Sequence, residues 1–249
     1  VYEEGTVVTV TAEAGSGNFF SNWSDDLSGN ENPETITMDS DKTVTANFIS
    51  APGGGAEIIL EEIQSGDALA VSSVSTNTAL SAVSGHLYLA AISTKNYRAV
   101  TAVNGLGLNW SVVHEQCSGR SQTGMSVWMA LGVASGDDVV TATLNGSANA
   151  VIVVTRYSGV DVNNPIGTTI SGNSNGAAGA CSGGVDNNGY SFDITTIGGG
   201  SVLYGAASMR NKTHTPGSGF TEQVEVSQGS GGSAASIAIE DQTITLPSQ

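Results

Sequence analysis

The chain has 249 residues, of which only 12% are charged, and its formal net charge is −16 with seven lysines and arginines. Phosphate backbones and anionic bilayer surfaces are gripped by clustered Lys and Arg, so nucleic acid and membrane surfaces are excluded as partners, and no apolar run reaches the roughly twenty residues that would insert into a bilayer. The 33 glycines and abundant Ser, Thr and Asn favour strands joined by tight turns, and 39% hydrophobic residues in alternating patterns are too many for a disordered chain.

In chain order, Thr6–Ala12 reads as a strand, followed by Phe19-Phe20-Ser21-Asn22-Trp23 and a polar, turn-rich stretch to Pro33. Thr35-Ile36-Thr37-Met38 alternates apolar and polar residues, Asp39–Lys42 makes a turn, and Thr43–Phe48 forms a closing strand. Ala51-Pro52-Gly53-Gly54-Gly55 reads as a flexible linker within residues 51–56. From Glu57 onward the clearest strands are His86–Ser93, Ala99–Val103, Trp110–Val113, Ser126–Val133, Val139–Leu144, Ala148–Tyr157, Tyr190–Thr195, Ser201–Met209, Thr221–Val226 and Ala234–Ile239. Turn signals such as Leu144-Asn145-Gly146 and Asn187-Asn188-Gly189 fall between them. Strands at this spacing without helical patterns predict an all-β chain whose larger part is a two-sheet antiparallel sandwich.

Residues 1–48, within a first module of residues 1–50, carry Gly5–Ala12, Phe20-Ser21-Asn22-Trp23, Ser28-Gly29, Asn32-Pro33 and the long ending Ile36–Phe48. In these motifs the segment resembles the divergent InlB-type B-repeat of bacterial surface and secreted proteins. The resemblance implies a small β module at the cell surface or outside the cell, short here of its first strands. Residues 57–249 resemble uncharacterised bacterial extracellular domains of the lectin-like and laminin-G-like jelly-roll kind. The matching motifs are Gly107-Leu108-Asn109-Trp110, Val127-Trp128, and Arg156-Tyr157-Ser158-Gly159-Val160-Asp161 with Pro165-Ile166-Gly167. That resemblance implies a jelly-roll sandwich, here closing on Thr243–Gln249 as an unfinished strand or loop, and it brings no catalytic motif.

Cys117 and Cys181 lie in similar Cys-Ser-Gly settings in polar loops and read as a disulfide, with two unpaired thiols as the alternative. A bridge would place the chain in an oxidising compartment. Asn22, Asn109, Asn145 and Asn211 stand in sequons open to glycosylation outside the cell. His86, His114 and His214 are too scattered to spell a metal site or a triad, and Ser158 and Ser182 belong to no nucleophile elbow. No enzyme is expected, and no cofactor is required. Calcium is the ion best suited to the chain, because Asp25-Asp26, Asp39-Ser40-Asp41, Asp137-Asp138 and Asp161-Val162-Asn163 set hard oxygens on turns. Asp161 with Asn163 is the preferred site, although Asp and Asn also occupy turns for conformational reasons.

Two roles fit these features. The first is a non-catalytic structural or adhesive module, self-associating or joined to neighbouring modules, as in a fibre assembled by strand exchange. The alternative is a carbohydrate-binding accessory module of a secreted polysaccharide-active protein, with Trp110 and Tyr97, next to turns, as the glycan-contacting rings.

Overall fold

The computed structural model describes residues 2–14, 18–50, 57–196, 200–210 and 212–244. The linker reading on 51–56 and the sequon at Asn211 lie outside them. Every regular element apart from one short 3-10 turn at Gly231–Ser233 is a strand.

In the first fifty residues, β1 (Thr6–Val10) pairs antiparallel with β3 (Glu34–Met38), and β2 (Asn18–Asp25) pairs antiparallel with β4 (Val44–Ser50). The two ribbons enclose one apolar cluster in which Trp23, Leu27 and Ile36 are buried and Val8, Val10, Phe20, Met38 and Val44 pack around them. Trp23 satisfies its indole N–H on the carbonyl of Glu31 at 2.8 Å, as a buried tryptophan must. Asn32 clamps the other ribbon, accepting from the amide of Ala12 at 2.9 Å and donating to its carbonyl at 2.8 Å. The Trp and the Asn-Pro of the motif are thus the pieces that tie the long turn to the strands.

The remaining chain is organised by two long strands, β5 (Ile59–Ser75) and β10 (Thr141–Ser158). With β6 (Leu87–Lys95), β8 (Trp110–Cys117) and β9 (Thr123–Ala130) they form a sheet in the order β5-β10-β6-β9-β8, while β7 (Val100–Asn104) pairs with the beginning of β10. A bulge between Thr143 and Ala148 divides β10. Before it, Thr141–Leu144 pairs with β7; after it, Asn149–Tyr157 pairs with β6. Asn145-Gly146 is therefore a corner inside one strand, where the sequence reads as a hairpin turn between two. Its amide still finds a partner, the carbonyl of Ala99 at 3.0 Å, and a bulge of this kind bends a strand without ending it.

The bend curls the sheet over itself. Val74, Val100, Val103, Leu106, Val140 and Leu144 close down on Tyr88, Ala90, Ile92, Ala150, Ile152 and Val154 in the largest apolar cluster. The alternate residues Ala91, Val151 and Val153 face the other way and meet Ala235, Ile237 and Ile239 of β15 (Ala235–Ile244). That strand is the centre of a second sheet, between β13 (Ser201–Met209) and β14 (Thr221–Gln228). The centre of the main sheet is consequently covered on both faces, which is why Leu87–Lys95 is buried at every position and begins with the continuous apolar run Leu87–Ile92.

A further strand expectation changes, and one left open between strand and loop is settled. Tyr190–Thr195 has no ladder partner, although Phe192 and Ile194 are half-buried and their neighbours exposed, so the alternation records contact with the body and not pairing. Phe192 lies against the backbone of Gly172 in the minimal hairpin of β11 (Gly172–Asn173) and β12 (Gly176–Ala177). Thr243 and Ile244 are paired with Val202 and Ser201 at the end of β15, so this part of the closing stretch is strand.

The curl of β5 needs a glycine. A Cβ on Gly66 would stand 1.8 Å from the carbonyl oxygen of Ser75, and beside it the amide of Asn77 donates to the carbonyl of Ser65 at 2.8 Å. Only backbone fits there, so Gly66→Val is expected to lower the unfolding free energy by about 3 kcal/mol or more, read as a shifted urea midpoint.

Candidate functional site

Polar chemistry in the larger module concentrates at three places. The first lies where the end of β10 meets the start of β5 and the residue preceding β6. Arg156, only 9% exposed, donates from Nε to Glu62 at 3.2 Å and from Nη1 to Nδ1 of His86 at 2.8 Å. Arginine has no acceptor, so Nδ1 of His86 carries no proton and the ring is neutral. Burial, and then the charge of Arg156, hold the imidazole below its ordinary value, against a smaller opposing pull from Glu61. Glu62 also accepts from the Ser81 amide at 3.1 Å and from Gln64 at 3.3 Å. Burial pushes its carboxyl up, but these donors and Arg156 outweigh it and the net shift is downward. The cluster pins the Ser81–Val83 turn, which also receives Tyr88 Oη on the carbonyl of Ser81 at 2.6 Å.

The second place is the disulfide. Cys117 and Cys181 are bridged with Cα atoms 5.4 Å apart, and Cys117 is the last residue of β8, not a loop residue. A shell of side-chain amides surrounds the bridge. Asn173, 6% exposed, donates to the carbonyls of Cys117 and Gly179, both at 2.8 Å, and Asn175 donates to those of Ala180 and Ser182 at 2.7 and 3.0 Å. Gln116 reaches the carbonyl of Gly179 at 3.0 Å. The loop lacks a long ladder, and these amides supply the donors that a ladder would have given its carbonyls.

The third is a cleft of about 370 Å³ lined by Lys95, Asn96, Ser147, Asn149 and Ser233 with Ala70, Ala148 and Gly232. It sits beside the opposite end of β6 from His86. Lys95 is 7% exposed, and its ammonium donates to Oε1 of Gln122 at 2.8 Å and Oδ1 of Asn96 at 3.0 Å. Asn149 ties the cleft together, accepting from the amide of Ala70 at 3.0 Å and donating to the carbonyl of Ser233 at 2.8 Å.

The residues singled out from sequence are spread apart. Asp161 accepts from the amide of Asn163 at 2.9 Å, a turn that closes on itself. The other turn acids are similarly engaged: Asp26 by the amide of Thr43 at 2.7 Å, Asp137 by that of Ala82 at 2.8 Å, and Asp39 by Lys42 at 2.6 Å. Among the described residues no group of three or more His, Cys, Asp or Glu is arranged to hold a metal ion. Trp110 is half-buried against the main core, its ring 6.5 Å from Tyr88 and its N–H on the carbonyl of Gly105 at 3.2 Å. Tyr97 lies over Gly124 and donates to Glu115 at 2.8 Å; burial and that carboxylate push its phenol up to about 12. Asn22, Asn109 and Asn145 are exposed. His214 stands 2.7 Å from Glu222, and His114 falls at a bulge in β8. Sequence reasoning gave no role to Lys95, Arg156 and Glu62. For the first two the available signal was a charged residue near the end of a largely apolar strand, as in Leu87–Lys95 and Ala148–Tyr157.

Because the folded chain protonates His86 less readily than the unfolded chain, stability is full above about pH 6.5 and declines as pH falls through that value toward the lower folded pKa. Urea midpoints between pH 5 and 8 should show this slope, and His86→Gln should remove it. Reduction of the bridge, which closes a loop of 64 residues, should lower the unfolding free energy by about 4 kcal/mol in the same assay.

Among the described residues no helix is long and apolar enough to cross a membrane. No curated protein and no solved structure matches the chain, so the sandwich rests on its own strand pairing and the jelly-roll likeness has no solved counterpart. The divergent InlB B-repeat domain family matches residues 1–52, the part of the chain built from the two ribbons around Trp23.

Proposed function

We propose that this chain is a non-catalytic structural module of a bacterial surface-associated protein, located outside the cell and joined to like modules by strand addition. The observation that carries this reading is the B-repeat match over residues 1–52, a domain type of bacterial surface proteins. Three features support it. The disulfide suits an oxidising exterior. The shifted groups of the ion cluster, Glu62, His86 and Tyr88, hold turns and strand ends in place. The two ribbons of the first module, β1–β3 and β2–β4, are two-stranded ladders, and such ladders have edges whose backbone groups accept a further strand.

Concentrated protein should form dimers and longer species in light scattering coupled to size exclusion, and filaments in electron micrographs. Replacing Val7, an exposed residue of β1, by proline should suppress them, since proline cannot donate to a new ladder. Strictly monomeric protein at all concentrations would overturn assembly by strand addition, and turnover of any substrate lost on a point substitution would overturn the non-catalytic reading.

A further inference from the structure

The cleft beside Lys95 has a charge balance unlike the rest of the molecule. The chain carries a net charge of −16, and lysines are almost never buried without a carboxylate. Lys95 is nevertheless 7% exposed, and its two acceptors, Oδ1 of Asn96 and Oε1 of Gln122, are neutral amide oxygens. An ammonium has three N–H donors, so among the described residues one is left without an acceptor. Burial, and then the nearby Arg210, hold the ammonium below its ordinary value; Arg210 is itself paired with Asp186 at 3.4 Å, so it is the Lys95 ammonium that lacks a carboxylate. Removing a charge from water without a counter-charge is costly, and a chain with 23 acidic residues has placed none of them on this one.

The walls specify the remainder of the ligand. Asn96, Ser147, Asn149 and Ser233 line it with Ala70 and Ala148; Asn149 is held by the Ala70 amide and the Ser233 carbonyl, Oδ1 of Asn96 by Lys95, and the Ser233 hydroxyl donates to the carbonyl of Ser230 at 2.8 Å, which leaves the Asn96 amide N–H groups and the Ser147 hydroxyl for a ligand. No aromatic ring lines the cleft, so a flat apolar ligand finds no stacking face, while a ring bearing several hydroxyls finds donors and acceptors. A volume of about 370 Å³ is at the small end of ligand-binding pockets.

We propose that this cleft binds a small hydroxylated oxyanion, of the chemical class of a uronic acid, with Lys95 as its cation and the Asn96 amide and Ser147 hydroxyl as partners for its hydroxyls. The proposal goes beyond the structural role and does not depend on it.

The test is titration of the full chain with glucuronate, glucose and inorganic sulfate, followed by calorimetry and by amide shifts of Asn96, Ser147 and Gly232. Glucuronate should bind in the millimolar range or tighter and weaken with added salt, and glucose should bind at least tenfold more weakly. Sulfate binding as tight as glucuronate would assign the site to free oxyanions; tighter glucuronate would assign it to sugar acids. Lys95→Met should weaken glucuronate at least tenfold. Ser147→Phe, which fills the cleft from its exposed rim, should do the same if Lys95→Met fails to fold. Absence of binding to native protein, or affinity unchanged in a folded variant, overturns the proposal.

Discussion

The larger module depends on one strand changing partners along its length. Before its bulge β10 pairs with β7, after it with β6, and β5 follows it on the other side throughout. Because side chains alternate across a strand, Ile152 and Val154 fall into one core while Val151 and Val153 fall into the other. A one-residue slip would exchange the two sets, and both cores would have to repack. After the bulge the register is fixed at both ends by polar anchors, Arg156 on Glu62 and Asn149 on Ala70 and Ser233.

The same anchors explain why charged and amide groups are buried in a chain so poor in charge. Strand ends expose carbonyls and amides that a continuing ladder would have satisfied, and a buried backbone group without a partner is costly. Long side chains reach in to meet them: Glu62 takes the Ser81 amide, Asn173 serves Cys117 and Gly179, and Asn32 serves Ala12. Tyr157 follows the same logic, donating to Asp241 at 3.0 Å, with its phenol pushed far up by burial.

The all-β class was legible because alternation and turn residues are local signals. The ribbons around Trp23 were legible through a motif, and the bridge through the matched settings of Cys117 and Cys181. The corner at Asn145-Gly146 was not, because the residues that make a hairpin also make a bulge; the choice is settled by β7, more than forty residues earlier. Tyr190–Thr195 alternates like a strand but has no partner, and pairing is a property of the fold, not of the segment. Residues 59–75 gave no clean alternation because their two halves lie on either side of a bend at Ala70, whose φ of 53° no pattern of hydrophobicity announces. Lys95 was passed over because burial of a lysine depends on what the neighbouring sheet leaves open.

A chain pulled from its two ends would not extend through every residue. The Cys117–Cys181 bond would carry the load past the 64-residue interval it closes, withholding on the order of 200 Å of extensible length at about 3.3 Å per residue. That interval contains β9, β10 and their buried neighbours. The bond is thus a mechanical bypass: under tension the centre of the sandwich could come apart around it, but the strands within would remain tethered close enough to pair again when the load is removed.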